Sequence, residues 1–117
     1  MIGRETMMPE IVTVPERKAR EAARRREAAR DVMTEAREFA TACGGRFYVF
    51  GSAAEDRMKY DSDFDVVVDF PSATETEAVE FVEEACRRRG LPSDVHLKSR
   101  ASERFLDRIR DHMVALP

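Results

Sequence analysis

The stretch DFDVVVDF, Asp63 to Phe70, limits the fold more than any other part of the chain. Side chains alternate across a strand, so Phe64, Val66, Val68 and Phe70 share one face. Asp63, Asp65 and Asp69 share the other face with Val67. Four large apolar side chains on one face demand a sheet with a covered core. The opposite face opens with two carboxylates two residues apart, about 7 Å along the strand. Unpaired, they repel, and the second to ionise has a raised pKa. A divalent cation relieves that repulsion. Magnesium suits it, because it takes oxygen ligands from one or two carboxylates together with water and substrate phosphates.

The rest of the chain reads as α-β-α-β-α-β-α. Residues 1–14 carry no period and are expected to form a flexible arm. A long helix is expected over 15–43, with Pro15 in its first turn and Gly44-Gly45 at its end. Its second half carries the stripe Ala29, Val32, Met33, Ala36, Phe39, Ala40, Cys43, at helical spacing. Residues 44–117 form the expected core of a single domain. RFYVF (Arg46–Phe50) is a buried strand, and SAAEDRMK a short helix capped by Ser52. Thr74–Arg89 is a helix. SDVHLK is a third strand with Val95 and Leu97 facing inward. Ser102 caps a last helix with the stripe Phe105, Leu106, Ile109, Met113.

Gly51-Ser52 lies ten residues before Asp63. Glycine lets a ligand approach the backbone closely. Ser52 presents a hydroxyl, and the helix behind it points free N–H groups at an anion. A polyphosphate seat then faces a magnesium seat, which suits phosphoryl or nucleotidyl transfer. Asp63 and Asp65 hold the metal. Asp94, at the head of the third strand, is a third ligand if that strand lies beside the second. It would help hold a second metal and act as base toward an acceptor hydroxyl.

The pattern GSx10DxD, the strand DSDFDVVVDF, the strand SDVHLKS and the tail SERFLDRIRDHMVALP resemble the minimal nucleotidyltransferases of the DNA polymerase β superfamily. The resemblance covers about residues 35 to 117. It implies an α+β fold (α/β in looser usage): a small mixed sheet of three or four strands, helices mainly on one face, and a long N-terminal helix before it. It also implies Mg²⁺-dependent transfer of a nucleoside monophosphate, usually AMP from ATP. Small members of this kind are often antitoxins that bind, and can adenylylate a tyrosine on, a HEPN-type toxin. Two other functions fit the fold: a binding module of weak catalysis that neutralises its partner by contact, and a transferase acting on a small aminoglycoside-like acceptor. The chain departs from the family pattern at Glu55 and Asp56, where basic and glycine residues are usual. Acids there weaken the attraction for a triphosphate, and Arg57 and Lys59 stand close enough to offset them.

Other polar residues have plainer readings. Asp69 is a solvated residue or an ion-pair partner, and His96, Lys98 and Arg100 are surface groups. Ser62 bonds locally to its turn. The stretch from Arg17 to Arg30 is rich in arginine, with Glu16, Glu21 and Glu27 at pairing distances along a helix. An exposed, self-paired helix is the expectation, and a homo- or hetero-oligomeric interface through it is the sharper alternative.

At 117 residues and 37% charged residues, the chain is one small charged domain. A net charge of -3 gives no reason to expect direct nucleic-acid binding. No apolar run reaches membrane-span length, and MIGRETMMPEIVTVPERK lacks the apolar core of an export signal. Cys43 and Cys86 form no metal or disulfide pattern. A cytoplasmic setting is expected.

Overall fold

The computed structural model describes residues 13–117. The expected arm over 1–14 lies outside that range except at its last two positions. Thr13 caps the first helix, its Oγ1 accepting from Glu16 N at 3.2 Å. Val14 opens that helix, α1 (Val14–Cys43). Pro15 occupies the first turn, where its missing N–H would have had no helical partner. Gly44 ends α1 in the left-handed region at φ 72°, and its N–H donates to Ala40 O.

The sheet contains β1 (Arg46–Phe50), β2 (Phe64–Asp69), β3 (Ser93–Leu97) and β4 (Val114–Leu116), in the spatial order β3-β2-β1-β4. β1 runs antiparallel to both neighbours, and β3 runs parallel to β2. The parallel pair is connected through helix α3 (Ser72–Arg88), as a crossover requires. A four-residue helix, α2 (Gly51–Ala54), follows β1. A short helix, α4 (Glu103–Ile109), follows β3 and continues as one 3₁₀ turn through His112.

The core forms between the sheet and the pair α1 and α3. Phe47 and Val49 of β1, Phe64, Val66 and Val68 of β2, and Val82, Ala85 and Cys86 of α3 are all fully buried. From α1 the buried positions are Ala28, Ala29, Val32, Ala36 and Ala40, the spacing read from the sequence. Each large buried side chain contributes about 1.5–3 kcal/mol. Burial also pushes the Cys86 thiol up to about 12, so it behaves as an apolar residue. Phe39 stacks on Phe81 at 4.3 Å between ring centres. Gly45 lies under the Phe70 ring, where an added Cβ would overlap the ring carbons.

Two expectations are corrected and one is filled in. The last helix does not reach Met113: it stops at Ile109, and residues 114–116 form β4 against β1, with Phe47 opposite Leu116. The free edge of β1 offers unpaired backbone groups that these residues satisfy. Leu116 meanwhile enters the core fully buried. Secondly, the main helices α1 and α3 share one face as expected, and the short α4 lies on the other, with Phe105 against Phe50. Leu106 and Ile109 line a cleft of about 120 Å³ floored by Tyr48 and Val67. Thirdly, Ser52 does not cap α2. Phe50 holds that position without a side-chain bond, and the turn is made by Gly51 at φ 70°.

The basic half of α1 buries little apolar surface. Its arginines fasten it to two loops. Arg24 donates to Arg89 O at 2.6 Å and to Gly90 O at 2.9 Å. Arg25 donates to Ser62 O at 2.7 Å, and Arg26 to Met58 O at 3.3 Å. Glu21 pairs with Arg24 and Arg25, whose hydrogen bonds hold its carboxyl down at about 2. Of the pairing expected along the helix, that of Glu21 is present, and the same guanidinium groups also reach outward to backbone carbonyls.

Candidate active site

The face of the sheet turned away from α1 and α3 is organised in rows. Phe50, Asp65 and Asp94 stand opposite one another across β1, β2 and β3. The next row is Tyr48, Val67 and His96. Cross-strand partners share a face, so register alone brings Asp65 and Asp94 side by side. The parallel placement of β3 next to β2 is the condition under which Asp94 can join the other two acids.

Asp65 is half-buried, whereas Asp63 at the entry to β2 is exposed. Among the described residues no lysine, arginine or histidine forms an ion pair with Asp63 or Asp65. Burial, then the charge of Asp94, then that of Asp63, push the Asp65 carboxyl up from 3.8 to about 6, with His96 opposing. A carboxylate in that condition gains from a cation. Gly51 packs on it: an added Cβ at Gly51 would lie 2.5 Å from Asp65 Oδ2. The turn at Gly51 therefore lies directly against the carboxylate, with Ser52 next in the chain. Arg57 N donates to Ser52 O at 2.9 Å, closing the loop that follows.

Among the described residues no three His, Cys, Asp or Glu side chains converge tightly enough to hold a metal by themselves. Asp65 and Asp94 are neighbours, and Asp63 stands at the rim. This donor set suits magnesium, which is commonly held by one or two carboxylates with phosphate oxygens and water completing the shell.

The departures at Glu55 and Asp56 are neutralised locally. Glu55 pairs with Arg57 at 2.7 Å, and Asp56 with Arg30 of α1 at 3.2 Å. Asp69 pairs with Lys98 at 3.3 Å. Ser62 Oγ accepts from Lys59 N at 2.8 Å, as a local turn bond. His96, read from the sequence as a surface group, is instead half-buried between aromatic rings and bonded to Asp94.

One cleft opens beside Gly51, with a volume of about 470 Å³. Phe50, Phe105, Arg57, Arg108 and His112 contribute to its walls. Nothing in the sequence marks Phe105, Arg108 and His112 as neighbours of Gly51. The Phe105 stripe indicates burial, and only the position of α4 reveals that Phe105 is half-buried on the acidic side of the sheet.

The sequence model of the family described as nucleotidyltransferase domain matches residues 29–116. No curated protein and no solved structure matches the chain.

Proposed function

Because this chain belongs to the nucleotidyltransferase domain family, we propose that it transfers AMP from ATP to a hydroxyl on a partner protein. The observation that carries the reading is the adjacency of Gly51, Asp65 and Asp94, produced by the φ 70° turn and by strand register.

Each residue has a role in this reading. The turn at Gly51 and the Ser52 hydroxyl receive the triphosphate. Asp63 and Asp65 hold Mg²⁺, with Asp94 helping to hold a second ion. The metal supplies charge neutralisation at the phosphate oxygens. Asp94 accepts the proton of the acceptor hydroxyl. The freed oxygen forms its bond to the α-phosphorus, the bond from that phosphorus to the bridging oxygen breaks, and pyrophosphate leaves. Arg108 stands in the adjoining cleft, where its charge favours a polyphosphate, while Arg57 there is paired with Glu55.

The choice of a protein acceptor rests on two supports. Asp94 lies on an edge strand with its side chain 57% exposed, so a bulky acceptor can reach it. The motif set resembles the minimal nucleotidyltransferases that act as antitoxins toward HEPN-type toxins. A partner of that kind is the proposed acceptor.

The test is the intact mass of the protein encoded beside this one after incubation with the chain, ATP and Mg²⁺. A gain of one or more AMP units, absent with Asp65→Asn, is the expected result. Co-purification without a gain would instead make the chain a neutralising module that acts by contact.

A further inference from the structure

We propose that His96 is a positioning residue for Asp94, a role that rests on Asp94 taking part in the proposed transfer. His96 Nε2 lies 3.2 Å from Asp94 Oδ2. The two residues are two apart on β3, so both side chains stand on the acidic face. Asp94 is the more exposed of the pair, at 57% against 34% for His96. An exposed aspartate beside the like charge of Asp65 gains by swinging away from it. The bond to His96 opposes that swing, and it commits one carboxylate oxygen while leaving the second for chemistry.

The imidazole can serve as a fixed point because it is itself held. Its ring centre lies 4.7 Å from that of Phe105 and 5.7 Å from that of Phe50. Phe50 and Phe105 meet edge to face at 5.5 Å. Three elements converge there: the end of β1 just before Gly51, the middle of β3, and α4. His96 also stands opposite Val67 in the row next to Asp65 and Asp94. A surface histidine without this packing would have many rotamers and would fix nothing. Outer partners that orient catalytic carboxylates commonly account for about 10- to 100-fold of affinity or activity.

A carboxylate only accepts, so in this arrangement Nε2 carries a proton and donates to Asp94. Glutamine can place its amide nitrogen near the position of Nε2 and keep the donation, whereas leucine keeps bulk and loses it.

Two measurements on the full chain test the role. The first is the ¹⁵N imidazole spectrum of His96 at neutral pH, in the wild type and in Asp94→Asn. A protonated Nε2 whose signal moves in Asp94→Asn is expected. An Nδ1-protonated ring, or a signal indifferent to Asp94→Asn, would overturn the proposal. The second is transfer kinetics with His96→Gln and His96→Leu. Leucine should lower kcat by about tenfold with the KM for ATP within about twofold, and glutamine should restore most of the loss. Equal rates for leucine and wild type would overturn the proposal, as would equal losses for leucine and glutamine. If the wild type itself transfers nothing, the functional reading falls, and the imidazole signal alone decides whether His96 orients Asp94.

Discussion

Gly51 and Asp65 are packed so closely that a single added methyl group would lie 2.5 Å from the carboxylate oxygen. The glycine also sits at φ 70°, where a Cβ costs about 1 kcal/mol or more. Gly51→Ala should therefore do two separable things. The backbone penalty lowers stability by about 1–2 kcal/mol. The displaced Asp65 side chain, being the flexible end of the contact, moves rather than resists, so transfer falls much further than stability does. Thermal melts and transfer rates on the same preparation check this. A variant of wild-type activity would show that the close approach is not needed.

Asp65 gives a pH signature. Its carboxyl titrates at about 6 in the fold, against 3.8 ordinarily. The fold thus favours the protonated form. That contribution is complete below about 3.8 and is lost as pH rises through about 6. Asp65→Asn has no such loss, so it should exceed the wild type in stability above pH 6, by about 2 kcal/mol once solvent screening of this half-exposed carboxyl reduces the full value of its shift, with the gap closing toward pH 4. Urea melts at pH 4.5 and 7.5 measure the difference. A gap unchanged between the two pH values would remove burial and like charge as the cause.

Magnesium should reverse the same penalty. Added Mg²⁺ is expected to raise the melting temperature of the wild type at pH 7.5, and to do so less at pH 5, where the Asp65 proton competes. Asp63→Asn and Asp65→Asn should both blunt the effect. Melts with and without EDTA decide the matter, and an equal rise in the variants would place the ion elsewhere.

Gly45 provides a control at the far end of the sheet. The Phe70 ring against it is hemmed by Phe39 and Phe47 at 5.8 and 4.9 Å. Gly45→Ala should cost about 1–3 kcal/mol through overpacking. The rate per folded molecule should be unchanged, because the acids lie at the other end of β2. A lowered rate in fully folded protein would contradict that separation.

Arg25 connects α1 to the residue just before Asp63, through its bond to Ser62 O. Arg25→Ala should lower stability by about 1–2 kcal/mol, since it also removes a partner of Glu21. It should reduce transfer as well, by loosening the entry to β2. Hydrogen exchange across residues 56–63 is the direct measurement, and unaltered protection there would rule out the anchoring role.

The parts that were legible in the sequence are those where burial repeats. Val66 and Val68 alternate with Asp65 and Asp69, so the sequence alone assigns the two faces of β2. Ala29, Val32, Ala36 and Ala40 recur at helical spacing and are buried as that spacing demands. β4 escaped because Val114–Leu116 is too short to show a period and is stabilised by the edge of β1. The turn conformation at Gly51 carries no marker beyond the glycine itself, so Ser52 was misplaced as a cap. His96 looked like a surface group because its surroundings come from Phe50 and Phe105, both distant in the chain. Arginine donating to a carbonyl leaves no pattern at all, since the acceptor residue can be of any type.

That last property has an evolutionary corollary. Arg24, Arg25 and Arg26 hold the loops at 89–90 and 58–62 by main-chain oxygens alone. These attachments themselves place no demand on the side chains of the loops. The burden of constancy falls on the helix. A lineage drifting under this arrangement could retune the surface around the acids while its scaffold stayed in place.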